Sequence, residues 1–248
     1  MASFIEEVAP VARRTMTLFF MVDKSGSMCG TKIGAVNDAI ANALPIISDI
    51  SNSNPDAEIK VAALEFSNGV DWLYDTPKDA NDFIWQDVEA GGLTSLGEAC
   101  RELNKKLSRS GLMKTASGSF APVIILISDG EPTDDYMSSL SVLKTNAWFK
   151  NAIKIAIAIG NDANTDILTE FTGSKEAIYY THNIEALKQV IRTVAVTSSQ
   201  IGSKSSNAGT LSKQEQVEKE IKEQIRDVDG AQTAKENDAS TDNYDDWK

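Results

Sequence analysis

Of 248 residues only two are cysteine, Cys29 and Cys100, and only one is histidine, His182. Two cysteines cannot form a disulfide framework in a chain of this size, so both are expected to be reduced and packed as small apolar residues. One histidine with two cysteines also falls short of the ligand stock of a His/Cys zinc site. Any metal bound here has to be a hard ion held by oxygen. Basic residues are scarce too, and the formal net charge is −12. Nucleic-acid binders need clustered Lys and Arg to neutralise phosphates, so DNA, RNA and anionic membrane surfaces are not expected partners. Long apolar runs are missing as well: LFFMV at Leu18 to Val22 is far short of the roughly 20 residues that span a bilayer. The N-terminal MASFIEEVAPVARR carries two glutamates before any basic residue and no long apolar region. It does not read as a secretory signal, which predicts a cytoplasmic protein.

What the chain does have is 42% apolar residues, enough for the core of one large α/β domain. TLFFMV (Thr17 to Val22), IKVAALEF (Ile59 to Phe66), VIILIS (Val123 to Ser128) and IKIAIAIG (Ile153 to Gly160) are almost continuously apolar, as strands covered on both faces are. AIYYT (Ala177 to Thr181) and an antiparallel edge hairpin at VDWLYD (Val70 to Asp75) bring the expected sheet to six strands. Between them, Ile33, Val36, Ile40, Leu44 and Ile47 keep the spacing of one helix face, as do Leu96, Cys100, Leu103 and Leu107. Ile184, Leu187, Ile191 and Val194 repeat it before Ser198, and Tyr136 to Lys150 reads as a weaker, serine-containing helix. Strands alternating with helices predict an α/β fold with a doubly wound, mostly parallel six-stranded sheet flanked by helices.

The reading divides the chain into an N-terminal extension (1–13), one domain (14–201) and an acidic C-terminal tail (202–248). From Ser203 to Lys248 there are 7 Lys and Arg against 11 Asp and Glu, and this stretch is expected to be largely disordered. One island, near 212–228, places Val217, Ile221, Ile225 and Val228 on a single face and predicts a short, marginal amphipathic helix.

In doubly wound sheets ligands bind beyond the carboxyl ends of the strands, where strand order reverses. The odd polar residues of this sequence cluster at those places. FFMVDKSGSMCG ends the first strand on Asp23, Ser25 and Ser27; ISDGEPTDD ends another on Asp129; and EAGGLTSLGEA sets Thr94 just before a helix. Two carboxylates and three hydroxyls meeting without a basic partner stay poorly satisfied unless a cation joins them. Oxygen-only ligands favour Mg²⁺, with Mn²⁺ or Ca²⁺ as substitutes.

DKSGS fits the D-x-S-x-S signature of von Willebrand factor type A (VWA) domains, and Thr94 after Gly91 and Gly92, with Asp129 in SDG, falls where that family keeps its other metal residues. The chain resembles the family from about Arg14 to Gln200, and the expected fold is accordingly VWA-like, a Rossmann-like arrangement. Leu93 departs from the commoner run, in which the threonine follows the glycines directly. The resemblance implies a metal-ion-dependent adhesion site, with Ser25, Ser27 and Thr94 as hydroxyl ligands, directly or through water, and Asp23 and Asp129 acting largely through bridging waters. It also implies an open coordination position that takes a Glu or Asp from a partner protein. A single compact domain without a signal peptide resembles the bacterial tellurite-resistance TerY type, which implies a place in an intracellular stress-response assembly.

Other readings compete with this one. Ser25 and Ser27 read alternatively as caps of the following helix, Lys24 as a solvated amine or a charge tempering the acidic cluster, and Asp134 and Asp135 as charges at a helix start. Met28 and Cys29 are expected to pack under the loop, His182 to lie at a surface or edge, and Trp72, Trp85 and Trp148 to pack, the first two with the option of touching a partner. A phosphohydrolase of the D-x-D type lacks its second carboxylate because position 25 is serine; Gly30-Thr31-Lys32 reverses the order a phosphate-binding loop needs; and no G-x-S-x-G occurs. The expectation is therefore a non-enzymatic binding module. A Mg²⁺-dependent phosphohydrolase using Asp23 and an adaptor subunit for an AAA+ ATPase are the alternatives. The acidic tail reads first as a solvated, solubilising segment; the competing reading has one of its acidic residues occupy the ion's open position, in cis or by self-association with a neighbouring copy.

Overall fold

The computed structural model describes residues 13–108, 111–113, 118–160, 163–204, 211–228 and 231–233. The elements run β1 (Arg14–Asp23), α1 (Thr31–Ser53), β2 (Ala57–Phe66), β3 (Val70–Trp72), β4 (Lys78–Asp79), α2 (Leu96–Lys106), β5 (Val123–Ser128), α3 (Tyr136–Leu143), α4 (Ala147–Asn151), β6 (Ile153–Ile159), α5 (Thr165–Thr172), β7 (Ile178–Thr181), α6 (Ile184–Gly202), α7 (Lys213–Ile225) and β8 (Ala231–Thr233). They build one sheet in the order β3-β2-β1-β5-β6-β7-β8, with β4 also pairing with β2. The five central strands are parallel, while β3, β4 and β8 run antiparallel at the margins. Strand order reverses between β1 and β5, which are neighbours at the centre of the sheet.

Side-chain alternation distributes each strand between two cores. From β1, Met16, Leu18, Phe20 and Val22 join α1, α6 and α7 on one face, whereas Phe19 and Met21 join α2, α3, α4 and α5 on the other. β6 shows the same division with unequal residues: Ile153, Ile155, Ile157 and Ile159 point to the first face, and the smaller Ala156 and Ala158 to the second. The α/β, doubly wound, mostly parallel fold is the one expected, with two further short strands, β4 and β8. Both are two or three residues long and too short to show alternation in the sequence.

Three segments differ in detail. Tyr136 to Lys150 is two helices, because the Asn146 side chain accepts the backbone N–H groups of Trp148 and Phe149 and so begins α4 afresh. α6 continues past Ser198 to Gly202, burying Thr197, Ser198 and Ser199. The helix expected near 212–228 is no loose appendage. Val217, Ile221 and Ile225 of α7 are buried at 0%, 0% and 3% exposure in the first core. Ser212 and Glu215 close a capping box at its start. Lys213 anchors the same end by donating to the carbonyl of Gly202 at 2.8 Å. Gln214 then acts as a piece of strand: its side-chain oxygen accepts the Lys154 N–H at 2.8 Å and its amide donates to the Lys154 carbonyl at 3.0 Å. β7 pairs with β6 only from Ala156 onward, so Gln214 satisfies the backbone that β7 leaves uncovered. The folded unit thus extends beyond residue 201. The acidic residues from Glu236 to Asp246 and the extension 1–12 lie outside the described residues.

Candidate metal centre

β1 and β5 deliver the first two loops side by side. Their register pairs Val22 with Ile127, so Asp23 and Ser128 stand next to each other at the strand ends. Asp23 is fully buried. One carboxylate oxygen accepts the Ser25 N–H at 2.8 Å and the other accepts the Ser128 hydroxyl at 2.7 Å. The bond to its own second neighbour shapes the turn, as aspartates at turns do. Burial pushes the Asp23 carboxyl above the usual carboxylate range; the bonds from Ser128 and Ser25 oppose this, and the charge of Asp129 adds to it.

That turn aims the serines inward. Gly26–Met28 forms a single 3-10 turn, which brings the Ser25 and Ser27 hydroxyl oxygens to 3.0 Å of each other. Ser27 donates to Asp129 Oδ1 at 2.7 Å. The other oxygen of Asp129 takes the Lys32 ammonium at 2.5 Å; the Asp129 side chain has 0% exposure and that of Lys32 22%. Lys32 belongs to the first turn of α1, whose N-cap is Gly30 and which carries no acidic residue in that turn.

The third loop is tied to the other two through its backbone. Gly26 N–H donates to Gly92 O at 3.0 Å and Gly91 N–H to Lys24 O at 2.7 Å. Gly92 has φ +89°, and a Cβ there would stand 2.7 Å from the Asn68 side chain; Asn68 also accepts the Leu93 N–H. Only glycine accommodates both demands. Thr94 exchanges bonds with Thr133: its N–H donates to the Thr133 hydroxyl at 3.1 Å, and its carbonyl accepts the Thr133 N–H at 2.9 Å. The Asp134 carboxylate accepts Gly97 N–H and Glu98 N–H at 2.9 and 3.0 Å, capping α2 from the β5–α3 loop. Leu93 is 59% exposed while Thr94 is 5% exposed, so the extra residue is thrown outward and the threonine keeps its inward place. A Cβ on Gly130 would lie 3.4 Å from Ser27 Oγ and 3.9 Å from Thr94 Oγ1. The bare backbone at Gly130 therefore gives these hydroxyls room.

Asp23, Ser25, Ser27, Thr94 and Asp129 thus share one cleft at the switch between β1 and β5. Among the described residues no three His, Cys, Asp or Glu side chains group as a metal site, so an ion in this cleft would draw on hydroxyl oxygens. Two carboxylates and three hydroxyls suit a hard divalent cation.

Several expectations require correction. The cluster does have a basic partner, Lys32. Lys24 turns the other way, within 3.4 Å of both Glu65 and Asp71. Neither serine caps a helix through its side chain; both are spent on the cluster. Asp134 serves the start of α2 rather than that of α3, which Asp135 caps. Met28 is buried, but Cys29 is exposed, with its thiol against the carbonyl of Ala90. Buried Cys100 has its thiol pushed up to about 12 by desolvation, which leaves it inert. His182 is nearly buried and stacked on Tyr180. Trp85 is buried and donates to Asn37, while Trp72 packs edge-on against Phe19. Sequence reasoning missed Lys32, Ser128, Thr133 and Asn68. Lys32 had a signal: a cation in the first helical turn opposes the helix dipole and calls for a nearby anion.

The model of the family described as von Willebrand factor type A domain matches residues 17–193. Among solved structures, the chain is similar to a von Willebrand factor type A protein from Catenulispora acidiphila (17% identity, 75% of this chain and 43% of that one, TM-score 0.55). It is also similar to the ArnB paralog VWA2 from Sulfolobus acidocaldarius (20%, 74% and 46%, 0.53). A third is proximal thread matrix protein 1 from the mussel byssus with a zinc-occupied MIDAS motif (16%, 76% and 49%, 0.55). The chain spans less than half the length of these three structures. No curated protein matches it.

Proposed function

The chain belongs to the von Willebrand factor type A domain family, and from that premise we propose that it is a non-enzymatic, Mg²⁺-dependent protein-binding module. Ser25, Ser27 and Thr94 would hold the ion through their hydroxyl oxygens, directly or through water, and Asp23 and Asp129 would supply the balancing negative charge, with Mn²⁺ or Ca²⁺ able to substitute. The ion supplies an electrophilic position that accepts a Glu or Asp carboxylate from a protein partner. The observation that carries this reading is the meeting of three separate loops at Ser27, Thr94 and Gly130. A zinc-occupied site in the byssus protein supports a divalent ion as the occupant.

The alternative of a phosphohydrolase with Asp23 as nucleophile is disfavoured by packing. Asp23 is fully buried and each of its oxygens already accepts a hydrogen bond, which blocks the open in-line approach a nucleophile needs, whereas a small water can still use a remaining lone pair. Recruitment to an AAA+ ATPase would use the same carboxylate-binding site, and co-purification separates it from the TerY-type stress-response role. Two free thiols, Cys29 and Cys100, suit a reducing compartment and support a cytoplasmic location. Among the described residues no helix is long and apolar enough to cross a membrane. Self-association through an acidic tail residue at the metal belongs to the same proposal. Its test is truncation after Thr233, since α7 and β8 are part of the packed unit.

The experiment is isothermal titration of Mg²⁺ into the wild type, Asp23→Ala and Thr94→Ala. Affinity is expected to fall by at least about tenfold in each variant. Unchanged affinity in both overturns the site.

A further inference from the structure

α2 begins without a side-chain cap of its own. Ser95, its N-cap residue, makes no side-chain bond to the helix, and the first amides of a helix need an acceptor. Asp134 supplies one from the β5–α3 loop: its two carboxylate oxygens accept the N–H groups of Gly97 and Glu98 at 2.9 and 3.0 Å, from 37 and 36 residues away in the chain. The charge of Asp134 also suits the positive end of the helix dipole. Its approach explains a glycine inside a helix, where alanine is otherwise favoured by about 1 kcal/mol. A Cβ on Gly97 would stand 2.7 Å from the Asp135 carbonyl oxygen and 2.9 Å from both the Asp134 carboxylate and the Tyr136 Cα. One residue earlier in the same loop, Thr133 grips Thr94 twice: its hydroxyl accepts the Thr94 N–H at 3.1 Å and its own N–H donates to the Thr94 carbonyl at 2.9 Å. Arg101, donating to the Ser139 hydroxyl at 2.8 Å, continues the fastening along α2 and α3.

We infer that Asp134 and Thr133 are positioning residues of the metal centre, which hold Thr94 in place from outside the ligand set. The inference rests on the metal-binding reading above. Asp129 and Gly130 stand a few residues before Thr133. One loop therefore brings a carboxylate to the cleft and, with its next residues, fixes a hydroxyl that belongs to another loop. Other anchors act on either side of Thr94: Gly91 and Gly92 are tied to Lys24 and Gly26, and the Ser95 N–H donates to the Ser67 carbonyl at 2.9 Å. Those bonds set the course of the loop, whereas the Thr133 pair and the Asp134 cap act on Thr94 itself and on the helical turn that follows it. A ligand whose backbone is already in place need not be ordered when the ion binds, and the saving appears as metal affinity.

Because the clamp acts through Thr94, its effect on the ion should vanish with the Thr94 hydroxyl. Mn²⁺ affinity, read from the electron paramagnetic resonance of the free ion, is expected to fall about tenfold in Asp134→Ala. In a Thr94→Ala background the same substitution is expected to change it by less than about twofold. Thr133→Val, an isosteric change at an exposed position, removes the hydroxyl that accepts the Thr94 N–H. It is expected to show the same dependence on Thr94, and it keeps the test open should Asp134→Ala fold poorly. Thermal unfolding in chelator supplies the control: a residue that only stabilises the fold would lower Tm and leave the Mn²⁺ affinity of the folded protein unchanged, or lower it equally in both backgrounds. Undiminished Mn²⁺ affinity in the folded variants, or an equal loss with and without the Thr94 hydroxyl, overturns the inference and leaves the metal site standing. A wild-type chain that takes up no Mn²⁺ overturns the metal reading itself.

Discussion

The cleft at the carboxyl ends of β1 and β5 and the C-terminal helix α7 are both built from short segments, yet they are fixed by different physics. In the cleft the side chains are polar, buried and bonded to one another: Asp23, Ser25, Ser27, Asp129 and Lys32 form a connected set. Each identity matters there, because a buried polar group without its partner costs about 1–3 kcal/mol. On α7 the buried residues are Val217, Ile221 and Ile225, and any apolar side chains of similar volume would serve. A polar cleft announces itself in the sequence through residue types that have no other reason to stand at strand ends. An apolar helix face announces only that it will be covered, not by what.

The comparison breaks most visibly at Ile221. Replacing it by alanine is expected to cost the whole domain about 3 kcal/mol and lower its Tm by roughly 10 °C in one cooperative transition. Ser27→Ala, in chelator, is expected to cost only about 1 kcal/mol. Thermal unfolding of the two variants checks both, and an unchanged Tm for Ile221→Ala would mean that α7 does not share the core. Gln214→Ala removes two bonds to the Lys154 backbone and is expected to cost about 1–2 kcal/mol. Faster hydrogen exchange at the β6 edge is its signature. The smallest effect concerns pH. Burial lifts the Glu218 carboxyl above its usual range, against the bond from Gln214 and with the charges of Glu176 and Glu215 adding to the lift. The folded state then holds that proton more tightly than the unfolded one. Its contribution is gained as pH falls from the raised value toward the ordinary glutamate range, and it is lost above the raised value. Amides of α7, corrected for intrinsic exchange, should accordingly be slower at pH 5 than at pH 7.

Much of the fold was legible because the central strands are apolar on both faces and α1, α2 and α6 each carry a long apolar stripe. Ile33, Val36, Ile40, Leu44 and Ile47 are all buried as their spacing requires. Less was legible where an element is short or its neighbour is distant in sequence. α5 has eight residues, too few for a periodic stripe to show, although Asn164 at its start and Gly173, with φ +83°, at its end mark both termini. β8 forms only because β7 offers an edge. At the cleft, strand ends pointed to Asp23, Ser25, Ser27 and Asp129, while Thr94, in the loop before α2, was joined to them by its glycine pair and the family resemblance. Their ionic partner was only half legible: a lysine in the first turn of α1 with no acidic residue beside it calls for an anion, but nothing in the sequence says that the anion is Asp129.

The central claim is that oxygen atoms from three loops share one divalent cation. Anomalous diffraction from a crystal grown with Mn²⁺ tests it most directly. One peak bounded by the hydroxyls of Ser25, Ser27 and Thr94 is the result the account predicts. Full Mn²⁺ in the crystal with no peak in that cleft, or a peak held elsewhere on the chain, would contradict it.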